Sequence, residues 1–313
     1  MTSRRLRGLL LALVVVTVLY AAACTSGGSG RGRDIGGGGH GPATGGAEPS
    51  YGAGLGSASP GASTSASAGA SGSPGGAPAG GWWKPAVGQT WQWQLTGTLD
   101  RSVAAEVYDV DGANTSAADV AALKSAGRHV ICYVNVGAHE DFRPDAKNFP
   151  ESVQGKGLDG WPGEKWLDIR QWNVLEPLLT ARFKQCKDKG FDAVEPDNVD
   201  GYSNSSGFPL SAGDQLTFNR RVAELAHRTG LGVGLKNDVE QAATLAPAFD
   251  FAVNEECARY NECDELKVFT SAGKPVFHVE YDGSTGSFCS KTKALHFSSM
   301  KKKMNLDAWR ETC

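Results

Sequence analysis

The 313-residue chain carries 31 Lys and Arg against 34 Asp and Glu, a formal net charge of −3, with 41 Gly and seven Cys. The charge is unevenly placed. The first 81 residues hold five Arg and two acidic residues, which leaves the rest with 26 basic against 32 acidic, net −6. An acidic folded block argues against nucleic acid or an anionic bilayer surface as partner and suits a cationic one.

In chain order, residues 1–23 read as an export signal. Arg4, Arg5 and Arg7 precede an apolar run from Leu9 to Ala23 that is too short, and wrongly flanked, for a membrane-spanning helix. Ala21-Ala22-Ala23 stands directly before Cys24 and is similar to a bacterial lipobox, in which Cys24 would be lipidated, although Ala21 replaces the usual Leu. An ordinary cleavage site beside a chance cysteine is the alternative. Residues 24–81 are almost wholly Gly, Ser, Ala and Pro, which cannot bury enough apolar surface to offset ordering, so a disordered tether is expected. Residues 82–313 are long enough for a single large core.

Within that block, apolar runs rich in β-branched and aromatic residues predict strands at Thr90–Leu95, Ala104–Asp111, His129–Gly137 and Phe191–Asn198. Others follow at Gly232–Asn237, Phe251–Glu256 and Pro275–Tyr281. Amphipathic patterns between them predict helices over Asn114–Ser125, Trp172–Lys189 and Ser211–Thr229, the last two each ending at a Gly. Strand–helix alternation of this kind means a parallel α/β sheet, and eight strands would close a single-domain (β/α)8 TIM barrel. For the eighth, Met304–Glu311 is preferred, which makes Lys165–Arg170 an inserted rim strand. An open doubly wound sheet is the runner-up, but no Gly-rich phosphate loop follows the first strand.

Setting Cys24 aside, six cysteines remain, an even count that suggests three disulfides in an exported chain. Cys257 with Cys263 is the safest pair, and order suggests Cys132 with Cys186 and Cys289 with Cys313. Their spacing is not that of a zinc site, the histidines do not cluster, and no metal or cofactor is expected.

The strands begin apolar and finish polar. Their ends carry Asp109, Tyr133, Asn135, Glu195, Asp197, Asn198, Lys236, Asn237, Glu255 and Glu280. In a barrel these ends converge on one face, where active sites lie. Asp197, on a strand buried on both faces, and Glu255, pinned by Cys257, stand out; Glu256 points the other way along its strand. A pair of carboxylates among hydroxyl and amide donors suits glycoside hydrolysis, one ionised to attack or activate water and one protonated to donate to the leaving oxygen. Trp161 and Trp166, in a Gly-Pro-rich loop, are candidates for a wall on which sugar faces stack.

At WQWQL, CYVNVGAHEDFR, WLDIR, FDAVEPDNVDGY, GLKN and NEECARYNEC the sequence resembles glycoside hydrolase family 114, the endo-α-1,4-polygalactosaminidases. The resemblance implies a (β/α)8 fold, no cofactor and cleavage of α-1,4-linked galactosamine polymer. It places the nucleophile at Asp197 and the proton donor at Glu255, with Asp109, Tyr133, Asn135, Lys236, Asn237 and Glu280 lining the sugar subsites. The family usually has Gln where this chain has Glu256. A cationic amino-sugar polymer agrees with the acidic domain. The expectation is therefore a monomeric glycosidase, lipid-anchored on the outer side of the cell membrane or secreted. A non-catalytic sugar-binding lipoprotein and an α-galactosidase-like enzyme are the alternatives.

Overall fold

The computed structural model describes residues 81–313. The predicted export signal, Cys24 and all but the last residue of the tether lie outside them. Strands β1 (Trp91–Gln94), β2 (Val107–Asp111) and β3 (His129–Asn135) pair in parallel. The chain then builds a small antiparallel sheet from β4 (Ala138–Glu140), β5 (Gln154–Leu158) and β6 (Trp161–Leu167). The parallel sheet resumes through β7 (Ala193–Asp197), β8 (Gly232–Lys236), β9 (Phe251–Glu255), β10 (Val276–Glu280) and β11 (Ser298–Lys301). This is the strand complement of a (β/α)8 barrel, with Trp166 and Leu167 on a rim strand as expected.

The eighth strand is Ser298–Lys301, not Met304–Glu311. Two serines make SSMK read as a loop, whereas the apolar spacing of MNLDAWRE imitates a strand. In the fold, that segment closes the seam between β1 and β11. Leu306 is buried, and its carbonyl accepts from the N–H groups of Leu95 and Thr96 at 3.0 and 3.3 Å. The Trp91 indole donates to the Ser298 carbonyl at 2.9 Å, and the Arg310 guanidinium donates to the Trp91 carbonyl. A short β12 (Glu311–Thr312) runs antiparallel on β11.

Helices α1 (Ala117–Ser125), α2 (Trp172–Lys189) and α3 (Ala212–Arg228) start and stop where their capping residues dictate. Ser116 accepts from the Asp119 N–H, Ser211 and Asp214 form a reciprocal capping box, and Gly190 ends α2 at φ 94°. After β8 the helices are short: α4 (Ala242–Leu245), α5 (Lys267–Ser271) and α6 (Cys289–Ala294). Disulfides strengthen this framework. Cys132–Cys186 ties β3 to α2, Cys257–Cys263 staples the loop after β9, and Cys289–Cys313 ties α6 to the last residue.

The core has two layers. One lies between strands and helices; the other fills the barrel interior with Trp91, Trp93, Ile131, Phe251, Phe277, Val279 and Met300. Gly234 makes room for the latter, since a Cβ there would stand 2.3 Å from the Phe251 ring. At the base, Trp82 stacks on His227 at 3.8 Å and Trp83 on His129 at 4.3 Å. Each histidine pairs with an aspartate just before a strand, His227 with Asp250 at 2.9 Å and His129 with Asp192 at 3.3 Å.

Candidate active site

Glu195 and Asp197 alternate along β7 and so face the same side of the sheet, toward Lys236 at the end of β8. The Lys236 ammonium lies 3.1 Å from Glu195 Oε1, 3.0 Å from Asp197 Oδ1 and 3.4 Å from Glu255 Oε2. It also sits 4.9 Å above the Trp93 ring and 5.7 Å from that of Tyr133. Burial alone would neutralise this amine, but the three carboxylates overcome that cost and hold its pKa well above the ordinary lysine range.

Asp197 is partly exposed to the mouth. Its other oxygen accepts from the Tyr133 hydroxyl at 2.6 Å. Burial opposes its ionisation, yet the Lys236 charge and the Tyr133 hydrogen bond hold its pKa below the usual aspartate value. Glu255, also partly exposed, accepts from the Tyr281 hydroxyl on one oxygen and from Asn237 Nδ2 on the other at 3.1 Å. Asn237 in turn accepts from the Glu255 backbone N–H at 2.9 Å, so one side chain sets both the strand end and the carboxylate. Because Asp197 and Glu255 share one nitrogen, the two contacting oxygens are separated by no more than the sum of 3.0 and 3.4 Å.

Glu195 and Asp109 lie beneath this pair rather than beside a sugar. Both are fully buried. Trp93 Nε1 donates to Glu195 Oε2 at 3.1 Å. Burial pushes the Glu195 pKa up to about 7 and, with the Glu195 charge, pushes that of Asp109 well above its ordinary value. Neither reaches the mouth.

Asn198 adopts φ 60°, and Gly137 packs so closely against it that a Cβ on Gly137 would fall 1.6 Å from the Asn198 carbonyl oxygen. The N–H groups of Val136 and Gly137 both donate to the Asp197 carbonyl, at 3.2 and 3.1 Å. The NVG turn after β3 thereby sets the backbone of Asp197. Asn135 accepts from the Ala138 N–H at 2.8 Å and approaches Glu164 Oε2 with its Nδ2 at 3.4 Å.

Besides Asp109 and Glu195, two further expected subsite residues sit elsewhere. Glu280 is buried and accepts from the Ala258 N–H at 2.8 Å and from His278 Nε2 at 2.9 Å, which anchors the loop after β9 instead of lining a subsite. Trp166 is buried against Gly201, so it offers no free sugar-stacking face, whereas Trp161 is 52% exposed. Glu256 turns away at φ 62° to pair with Arg259 at 2.6 Å, as its place along the strand predicted. His278 lies near Cys257 and Cys263, but those sulfurs are bonded to each other and both ring nitrogens are engaged, with Glu280 and with Ser299 Oγ at 3.0 Å.

Sequence reasoning missed three features. Tyr281, one residue past β10, holds Glu255; Lys236 is the hub of the acids and not a peripheral ligand; and Glu164 enters from the rim sheet. The sequence placed Lys236 at a strand end, but nothing in the chain announced that Glu164 would return to β3.

A paired carboxylate site of this shape at the carboxyl ends of a (β/α)8 barrel is that of a glycoside hydrolase. The comparisons narrow the class. The profile described as Glycoside-hydrolase family GH114 matches residues 74–313, and the chain belongs to that family. Among solved structures, Ega3 of Aspergillus fumigatus, in complex with galactosamine, is 40% identical with a TM-score of 0.71. That match covers 75% of this chain and 98% of the other. The glycoside hydrolase domain of PelA from Pseudomonas aeruginosa has a TM-score of 0.56 over 71% of this chain and 97% of that one; at 14% identity it supports the fold alone. No match was found among curated proteins.

Proposed function

We propose that this glycosidase cleaves α-1,4-linked galactosamine polymer within the chain, with Asp197 as nucleophile and Glu255 as proton donor. The observation that carries this reading is the single ammonium shared by the two carboxylates. It brings them close enough to flank one glycosidic bond and keeps Asp197 ionised, as a nucleophile must be. Two of their oxygens lie within the sum of 3.0 and 3.4 Å of each other through the shared ammonium, which favours retention of anomeric configuration over the wider, roughly 6.5–9.5 Å carboxyl separation of inverting enzymes. The substrate assignment draws on the galactosamine bound by Ega3 and on the acidic domain. The leader, the Cys24 motif and three disulfides support export and a lipid anchor.

The test is release of reducing ends from α-1,4-oligogalactosamine. Asp197→Asn and Glu255→Gln should each lower kcat by at least about a thousandfold at a temperature where a melting curve shows the variant still folded. Proton NMR of the first product should show the α-anomer. Wild-type-like rates in either variant would remove that residue from the chemistry, and a β-anomer first product would replace retention by inversion. Binding of oligogalactosamine without any cleavage by the wild type would instead identify a sugar-binding protein.

A further inference from the structure

The acids around the mouth differ in what balances their charge. Glu195 and Glu255 share Lys236 with Asp197. Glu140 lies 2.8 Å from Arg143, and Asp111 is likewise 2.8 Å from Arg143. Arg182 is 2.7 Å from Asp145. Glu164 is different. It stands on β6 opposite Glu140 in the rim sheet, partly exposed, and its one hydrogen-bond donor among the described residues is the neutral amide of Asn135 at 3.4 Å. Asn135 is the ladder partner of Asp197, which puts Glu164 on the side of Asp197 that Lys236 does not occupy.

Substrate chemistry supplies what is missing. In a 2-amino sugar the amine is on the carbon next to the anomeric centre, so any group that reads it must lie beside the nucleophile. Glu164 feels Arg143 only at a distance and has no ion-pair partner within 4.0 Å among the described residues. A carboxylate that is partly desolvated, next to like charges and without a contacting cation gains most from an ammonium brought by the ligand. Burial, then the charges of Glu140 and Asp197, push the Glu164 carboxyl up to about 7 against the more distant pull of Arg143, so its ionised form is poorly compensated within the protein.

We infer that Glu164 is the specificity-determining residue for the free 2-ammonium group of the sugar attached at Asp197, so that deacetylated units are preferred there over N-acetylated ones. This rests on the proposed galactosamine reading. Asp200 is the rival, a second acid near Asp197 with no salt-bridge partner within 4.0 Å among the described residues, but it follows β7 whereas Glu164 comes from the rim sheet to the Asn135 amide at the end of β3.

The test compares kcat/KM on fully deacetylated and partly N-acetylated α-1,4-galactosamine oligosaccharides for the wild type, Glu164→Gln, Glu164→Asp and Asp200→Asn. Glu164→Gln keeps the size and the Asn135 contact, and its melting curve checks the fold. Its kcat/KM on the deacetylated oligomer should fall roughly tenfold to a hundredfold, mainly through KM, with little change on acetylated units. Glu164→Asp should recover part of the loss, and Asp200→Asn should leave the preference in place. Equal losses on both substrates, no loss on either, or a preference that follows Asp200 would overturn the inference while the glycosidase stands. Failure of the wild type to cleave either oligomer would overturn it together with the galactosamine reading.

Discussion

A lysine buried to 3% exposure normally loses its charge, because desolvation penalises the ionised form. Lys236 keeps its charge through Asp197, Glu195 and Glu255, and in return lowers the pKa of Asp197. Lys236→Met should therefore raise the Asp197 pKa, and the acidic limb of the kcat/KM profile should move to higher pH. Stability should fall by about 3–5 kcal/mol, as expected when one partner of a buried ion pair is removed; pH–rate profiles and denaturant melts check both. Glu195 behaves in the opposite sense to Asp197. Its folded pKa is about 7, above the roughly 4.3 of an unfolded glutamate, so between those values the folded state holds a proton that the unfolded state has released. Its contribution to stability is present below that window and is lost as pH rises through it. Glu195→Gln should flatten the fall in melting temperature between about pH 4.3 and 7 relative to the wild type; identical slopes would mean that Glu195 is ionised throughout.

Two short segments act on the site or its frame out of proportion to their length. The turn after β3 fits only a glycine at position 137, since any Cβ would collide with Asn198, the residue next to Asp197. Gly137→Ala should displace Asp197 and cut kcat by about a hundredfold, because misplacement on the order of 1 Å is enough for that; steady-state kinetics beside a melting curve separate this from unfolding. Trp82 and Trp83 clasp the base through their stacks on His227 and His129. Replacing both by Ala should destabilise the domain by roughly 2–4 kcal/mol, since each aromatic pair contributes about 0.5–1.5 kcal/mol beyond area burial. With the mouth at the opposite end, kcat at a permissive temperature should not change.

For the whole molecule, charge and layout matter more than any contact. Residues 82–313 carry net −6, and a polycationic substrate is drawn to such a domain by a field that salt screens over about 8–10 Å. Raising ionic strength should lower kcat/KM on the deacetylated polymer through KM, and much less on an acetylated, neutral one. A kcat/KM on the polycation that is flat with salt would show that attraction across the surface has no part in capture.

Most strand ends, three long helices, the Cys257–Cys263 pair and the convergence of Asp197 and Glu255 at strand ends were legible in the chain because each leaves a local mark: alternation of burial, a cap, a spacing, a polar stop to an apolar run. The other two disulfides followed only from chain order. The eighth strand was not, since Ser298 and Ser299 owe their place to pairing with β10 and not to their own propensity. Nor did local marks reveal that Lys236 would serve three acids, that Tyr281 would hold Glu255, or that Glu164 would come back over β3. Side-chain alternation settles which residues point inward; barrel curvature and the route of an inserted sheet decide which of them meet, and those depend on contacts between positions far apart along the polypeptide.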